Sequence, residues 1–437
     1  MARADLLYSN DTRARHAASW YAASASPGPL RESLSGSVNC DICIIGAGFT
    51  GLSAALHLAE LGYDVVVVDA HRVGWGASGR NGGQLGSGQR VDQETLEQRY
   101  GNTEARALWS LAEQSKALVR HLIKQHGIAC DYQPGIIHAD HKVRFSASTK
   151  AYVQKLQSQY DYSSIDYLEG ADLQNLLGTQ AYHSASIDTG AGHLHPLKYA
   201  LGLADAATSR GAKIYESTQV LETNTESTPV RIITSNGEIS AKYLLLACNG
   251  YLGNLQSEIA ARVMPINNYI LATSPLPEDT AEQIIRNNMA VADSRFVVNY
   301  YRKSSDRRLL FGGRESYGYR FPDDIKAFVR LAMLKIYPQL QNTTVEYGWG
   351  GTLAITMNRM PHLRSITPNV ITASGYSGHG VGMATLSGQL AAEAIDGTLS
   401  RFDVMAKIKH QRFPGGVAFR SPLMKLGMLY YSLRDLL

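Results

Sequence analysis

Three glycine clusters hold the residues of this chain whose types and spacing could do chemistry. The first is Gly46-Ala47-Gly48-Phe49-Thr50-Gly51, with Asp69-Ala70 after the next apolar run. A G-x-G-x-x-G turn lets the backbone approach a pyrophosphate, and the helix that follows points unpaired N–H groups at it. Asp69 is placed to accept hydrogen bonds from the two hydroxyls of an adenosine ribose. The second cluster is Gly74-Trp75-Gly76-Ala77-Ser78-Gly79-Arg80-Asn81-Gly82-Gly83-Gln84. So many glycines are poor material for a helix or strand and suit a backbone wrapped around a flat or charged group. Ser78, Arg80 and Asn81 would meet phosphate and ring heteroatoms; the alternative is an ordinary flexible loop. The third is Gly375-Tyr376-Ser377-Gly378-His379-Gly380-Val381-Gly382, feeding a helix from about Ala384 to Ile395. A second helix N-terminus again favours negative charge. The pyrophosphate is already held at the first. A reduced flavin carries negative charge near N1 and the C2 carbonyl, whereas a nicotinamide does not. The three clusters together therefore favour FAD over NAD.

The elements that must position these loops are legible nearby. Residues 40–45 and Val65–Val68 read as buried parallel strands around a helix with Leu52, Ala55, Leu56, Leu58 and Ala59 on its apolar stripe and Gly62 as its stop. Residues 103–126 predict a long amphipathic helix, 196–210 another, and 322–336 a third. Strands fill 212–248, with a hairpin turn at Asn236-Gly237, and Leu244–Cys248 ends at Asn249-Gly250 on a sheet's carboxyl edge, where ligands bind in open α/β sheets. Alternating patterns around Tyr269, Tyr300 and Phe311 predict strands of another domain. The fold class is α/β: a discontinuous Rossmann-like nucleotide domain (38–90, 186–255 and 349–400) and a substrate domain (91–185 and 256–348). A polar extension at 1–37 and a tail at 401–437 flank them. The tail mixes Arg and Lys with Leu, Met and Tyr; a docked segment is favoured over a membrane-surface helix.

Composition narrows the class. The 437 residues exceed one ordinary domain, and a net charge of +4 without clustering gives no case for nucleic acid. No run reaches the roughly 18 apolar residues of a membrane span and no apolar leader opens the chain, so the expected location is the cytoplasm. Cys40, Cys43, Cys130 and Cys248 make no disulfide framework; Cys40 and Cys43 are expected on opposite faces of one strand. His193 and His195 lack a third ligand, so no metal site is expected.

On these motifs the chain resembles the D-amino-acid-oxidase-like (DAO) family of FAD-dependent amine oxidoreductases, from about Asp41 to Ile395. Ser19–Ala25, Phe413-Pro414-Gly415-Gly416 and Leu426–Tyr430 resemble the ends of the members that oxidise gamma-glutamylputrescine. The resemblance implies an FAD domain covered by a mostly antiparallel substrate domain. It implies that Val220 offers its backbone to the adenine and that Cys248, Asn249 and Gly250 lie near the cofactor. Sarcosine-oxidase-like relatives bind FAD through a cysteine in the segment matching Trp349–Thr352; this chain has no cysteine after Cys248, so noncovalent FAD is expected.

The implied reaction moves a hydride equivalent from an amine-bearing carbon to the flavin; the imine hydrolyses to an aldehyde, and dioxygen reoxidises the flavin to give hydrogen peroxide. The protein must orient the C–H bond and keep the amine neutral. His379 is the candidate polar group beside the flavin, or else a histidine that only bonds backbone. Tyr269, Tyr300 and Tyr301 read equally as an aromatic wall or as half-buried strand residues, and Trp349 as a packing residue. Arg302 or Arg314 could pair with a substrate carboxylate, with a surface position favoured for each. Two rivals stay open: a D-amino-acid or N-methylglycine oxidase or dehydrogenase, and a protein whose FAD is structural.

Overall fold

The computed structural model describes residues 5–316 and 318–414. Two sheets stand over a shared cavity. The first runs, in spatial order, His362–Thr367, Val370–Ser374, Gly237–Leu246, Gly36–Ile45, Val65–Val68 and Lys213–Tyr215, with Val220–Asn224 and Val230–Thr234 joined at one side. Its centre is parallel: Ile42 pairs with both Val65 and Tyr243. Val65–Val68 is wholly buried because both faces are covered: Val65 and Val67 share a core cluster with Leu52 and Leu56, and Val66 and Val68 one with Val220, Val230 and Ile232. Helix Phe49–Glu60 is the crossover between strands Gly36–Ile45 and Val65–Val68, and Gly62 (φ +88) follows its end. Asn236 lies in the turn between the antiparallel strands Val230–Thr234 and Gly237–Leu246.

The second sheet runs Val345–Ile355, Met264–Thr273, Leu309–Ser316, Tyr300–Lys303, Ala290–Asp293, Gln133–Asp140, Ser184–His193 and Gln84–Leu85, with Ile165–Glu169 on Ser184–His193. Among the described residues every pairing is antiparallel except Ala290–Asp293 with Gln133–Asp140.

The observed boundaries depart from the expected ones where a ladder outranks local composition. Strands Ser184–His193 and Val345–Ile355 belong to the second sheet, so breaks at 186 and 349 fall inside strands. Helix Asn102–Gln125 buries Leu108, Leu111, Leu118 and Leu122 in the nucleotide-domain core with Leu52 and Leu56, not in the substrate domain. Cys40 and Cys43 enter one apolar cluster rather than opposite faces. The amides of Asp41 and Ile42 both donate to Asp64 O, at 3.0 and 3.1 Å, a bulge that shifts the alternation by one. The N-terminal extension is not merely superficial: Ser19 caps helix Trp20–Ala25, and Trp20 and Tyr21 are buried against Leu197, Ile270 and Trp349. The tail beyond residue 414, including Gly415, Gly416 and Leu426–Tyr430, lies outside the described residues.

Candidate active site

One cavity of about 1130 Å³ is lined by the carboxyl edge of the first sheet and by a face of the second. That exceeds the roughly 300–1,000 Å³ usual for small-molecule pockets, leaving room for a dinucleotide and a second molecule. All the expected cofactor-side residues line it except Gly51, Gly83, Gly250 and Gly375. Those four shape the backbone behind it. A Cβ on Gly51 would sit 1.9 Å from Gly46 O, one on Gly83 1.9 Å from Leu194 O, and one on Gly375 2.5 Å from Thr356. Gly250 faces Leu353 and Ala354.

The glycine turn is set by its neighbours. Gly46 (φ +113) has no room for a side chain, since a Cβ would approach Ala247 O to 2.7 Å. A Cβ on Gly48 would lie 2.8 Å from Ser78 Oγ, and Ser78 Oγ accepts from Phe49 N at 3.0 Å. Asp69 Oδ2 accepts from Ala47 N and Oδ1 from His71 N, both at 2.8 Å. Burial nevertheless raises its carboxyl to about 6, with those two bonds opposing and Glu216 adding repulsion.

The third cluster adjoins the first. Its helix is Gly380–Ile395, so it begins four residues before the expected Ala384, inside the cluster itself; Gly380 and Gly382 take helical backbone. A Cβ on Gly388 would lie 2.3 Å from Thr50 O, so the two helices pack backbone to backbone with both N-termini on the cavity. Tyr376 and Thr50 hydroxyls bond at 2.6 Å, and Asn249 Oδ1 accepts from Gly375 N at 3.0 Å. His379 precedes this helix and lies over Gly86, whose Cβ would be 3.1 Å from its ring. Burial, then repulsion from Arg90, lowers His379 to about 4, so it is neutral at pH 7.

Of the expected substrate residues, only Tyr300 lines the cavity. Its ring lies where side chains of Gly82 and Gly312 would be, at 2.7 and 2.1 Å, and its hydroxyl donates to Asn268 Oδ1. Tyr269 and Tyr301 are buried in the substrate-domain core, Tyr301 stacked on Phe311 at 5.2 Å. Trp349 packs on Tyr21 and donates to Arg80 O at 3.1 Å. Arg302 is neither a surface residue nor a carboxylate partner. It is buried and donates to Gly82 O at 3.0 Å, Leu194 O at 3.1 Å and Tyr21 Oη at 3.3 Å. Arg314 stacks over Phe328 at 4.2 Å, away from the cavity. Asn81 Nδ2 and Oδ1 both bond loop backbone. His193 bonds Asn288 O and His195 bonds Ser24 Oγ, and among the described residues no metal-binding group of three forms.

Sequence reasoning missed two features. Arg90 lines the cavity and is exposed to it; burial by the protein around it, with Arg359 adding repulsion, lowers its guanidinium from the ordinary value while it stays charged. Lys116 is fully buried on helix Asn102–Gln125, with its Nζ on Ser87 Oγ, on Tyr162 Oη at 3.0 Å and on Glu113 at 2.8 Å. Tyr162 in turn donates to Asp188 Oδ1 at 2.5 Å, and Ser87 and Asp188 line the cavity. A lysine within an apolar stripe, four residues after Ala112, was a signal to follow.

The residues present fit an adenine dinucleotide with a flavin. The turn has a cradle that a Cβ would fill, and the buried Arg80 Nη2 on the cavity wall has no partner among the described residues. This is the site of a flavoenzyme. The sequence matches the DAO family of FAD dependent oxidoreductases over residues 41–394, and the chain belongs to that family. It is 42% identical over 417 residues to a probable oxidoreductase OrdL of Rhizobium meliloti (strain 1021), covering 95% of this chain and 97% of that one. It is 39% identical over 421 residues to gamma-glutamylputrescine oxidoreductase of Escherichia coli (strain K12), covering 96% and 98%. The fold is shared with glycine oxidase from Geobacillus kaustophilus: TM-score 0.70 at 21% identity, covering 82% of this chain and 95% of that one.

The protein is thus an FAD-dependent oxidoreductase. When bound, FAD supplies the hydride acceptor. The two helix N-termini would face negative charge on it, and neutral His379 and Tyr300 line the same cavity.

Proposed function

We propose that the substrate is gamma-glutamylputrescine or a close gamma-glutamyl amine, oxidised at its free primary amine, with dioxygen as the electron acceptor. The carbon bearing the amine loses a hydride equivalent and a proton leaves the nitrogen. Water converts the imine to an aldehyde and ammonia, and dioxygen takes two electrons and two protons to become hydrogen peroxide. The observation that carries the reading is near-full-length similarity to the E. coli enzyme, joined to a cavity whose wall includes the charged Arg90, suited to a carboxylate at the end remote from the amine. We also place the enzyme in the cytoplasm; among the described residues no helix is long and apolar enough to cross a membrane.

The test is anaerobic bleaching of the flavin by gamma-glutamylputrescine, putrescine, sarcosine, glycine and D-alanine, followed by admission of air. Gamma-glutamylputrescine should reduce it fastest, and one hydrogen peroxide should form per turnover. Faster bleaching by sarcosine, glycine or D-alanine would defeat the substrate assignment, and turnover in air without peroxide would defeat the acceptor.

A further inference from the structure

We propose that residues 5–14 belong to the FAD site, as a strap that closes its adenosine end and slows release of the cofactor. The strap is built into the cavity wall. Leu7 lines the cavity together with Asp69, expected at the ribose, Val220, expected at the adenine, and Gln219 beside it. Its neighbour Tyr8 donates to Gln219 Oε1 at 2.8 Å.

His71 holds the strap at two points. Leu7 O can only accept, and it lies 2.7 Å from His71 Nε2; Ala14 N can only donate, and it reaches His71 Nδ1 at 3.3 Å. The ring is therefore the neutral tautomer with its proton on Nε2. It stacks flat on Trp75 at 3.7 Å, which fixes it to the second glycine loop. Farther along, Asp11 accepts from Arg80 Nη1 at 2.9 and 3.2 Å, an ion pair with both side chains largely buried. Arg13 donates to Ser217 O at 3.1 Å.

The strap also reaches the other half of the molecule. Asn10 donates to Tyr319 O at 2.6 Å and accepts from Phe321 N at 2.8 Å. Phe321 packs on Tyr269 and beside Gly350 in the second sheet. Residues 5–14 thus bridge the two domains across one end of the cavity, and a dinucleotide lying beneath Leu7 leaves only when these contacts open.

The strap is tested by the rate of FAD release on dilution, read by recovery of flavin fluorescence. Two variants are compared with the full chain: deletion of residues 2–15, and Leu7→Gly with Asp11→Asn in the full-length protein. Both should release FAD at least tenfold faster. The unfolding midpoint of the FAD-bound form should fall while that of the FAD-free form holds. Release within twofold of the parent rate overturns the proposal, as does an equal fall of both midpoints, which would assign the segment to the fold alone. If the deletion does not yield folded protein, the full-length double variant decides on the same criteria.

Discussion

Asp69 carries two backbone hydrogen bonds and is still raised to about 6 by burial. Below about pH 3.9, its unfolded value, the carboxyl is protonated in both states. From there to about 6 the folded form holds the proton more tightly, so this group's contribution to FAD-free stability falls as pH rises and then levels. Ribose hydroxyls donating to it would favour the carboxylate and pull the value down. FAD binding should then release a proton, so the dissociation constant tightens from pH 5 to pH 7 and is flat above. Fluorescence titration should show that slope in the parent and its loss in Asp69→Asn. His379 behaves oppositely: lowered to about 4, it stays neutral through the working range. The anaerobic reduction rate of His379→Gln should therefore share the parent's pH dependence between pH 5.5 and 8. A histidine ionisation near 6.5 that the variant abolishes would refute its neutral role.

Elements built from local patterns were legible; those built from ladders were not. The first strand, turn, helix and acidic residue could be read because each step has its own chemistry: apolar strand, glycine turn, striped helix. The start of helix Gly380–Ile395 was hidden because glycine reads as a helix breaker, yet Gly382 is needed small, since a Cβ there would lie 2.5 Å from Ser115 Oγ. Strand Ser184–His193 was misassigned because nothing in its own residues reveals that Gln133–Asp140 is its partner. Arg302 reads as a surface residue, or else a carboxylate partner, because a sequence cannot show four backbone and hydroxyl acceptors converging on it. The turn itself gives a direct test. Gly48→Val places atoms against Ser78 Oγ and into the pyrophosphate approach, so FAD should be lost on gel filtration. Gly46→Ala combines φ +113 with contact on Ala247 O and should cost about 1–3 kcal/mol of stability, read by denaturant unfolding.

Across the whole molecule, buried neutral histidines set the acid limit of the fold. Burial lowers His71 to about 4, His193 and His362 to about 3 and His195 to about 2. A lowered histidine leaves the unfolded chain binding protons first, so stability is lost as pH falls below about 6.5. The unfolding midpoint should drop steeply between pH 6.5 and 5, and less steeply in His379→Gln, which removes one of the lowered histidines. The two halves are also joined by Arg302, which ties Gly82, Leu194 and Tyr21 together. Arg302→Met should lower stability by about 2–4 kcal/mol through the acceptors it strands, measured by urea unfolding. Tyr300 joins the halves differently, with its ring filling the places of two absent side chains, at Gly82 in the glycine loop and Gly312 in the covering sheet. These three positions cannot drift independently. Across homologous chains they should covary: a bulky residue at either glycine position only where the tyrosine has become small, so that a change in what the pocket accepts must be inherited as a trio.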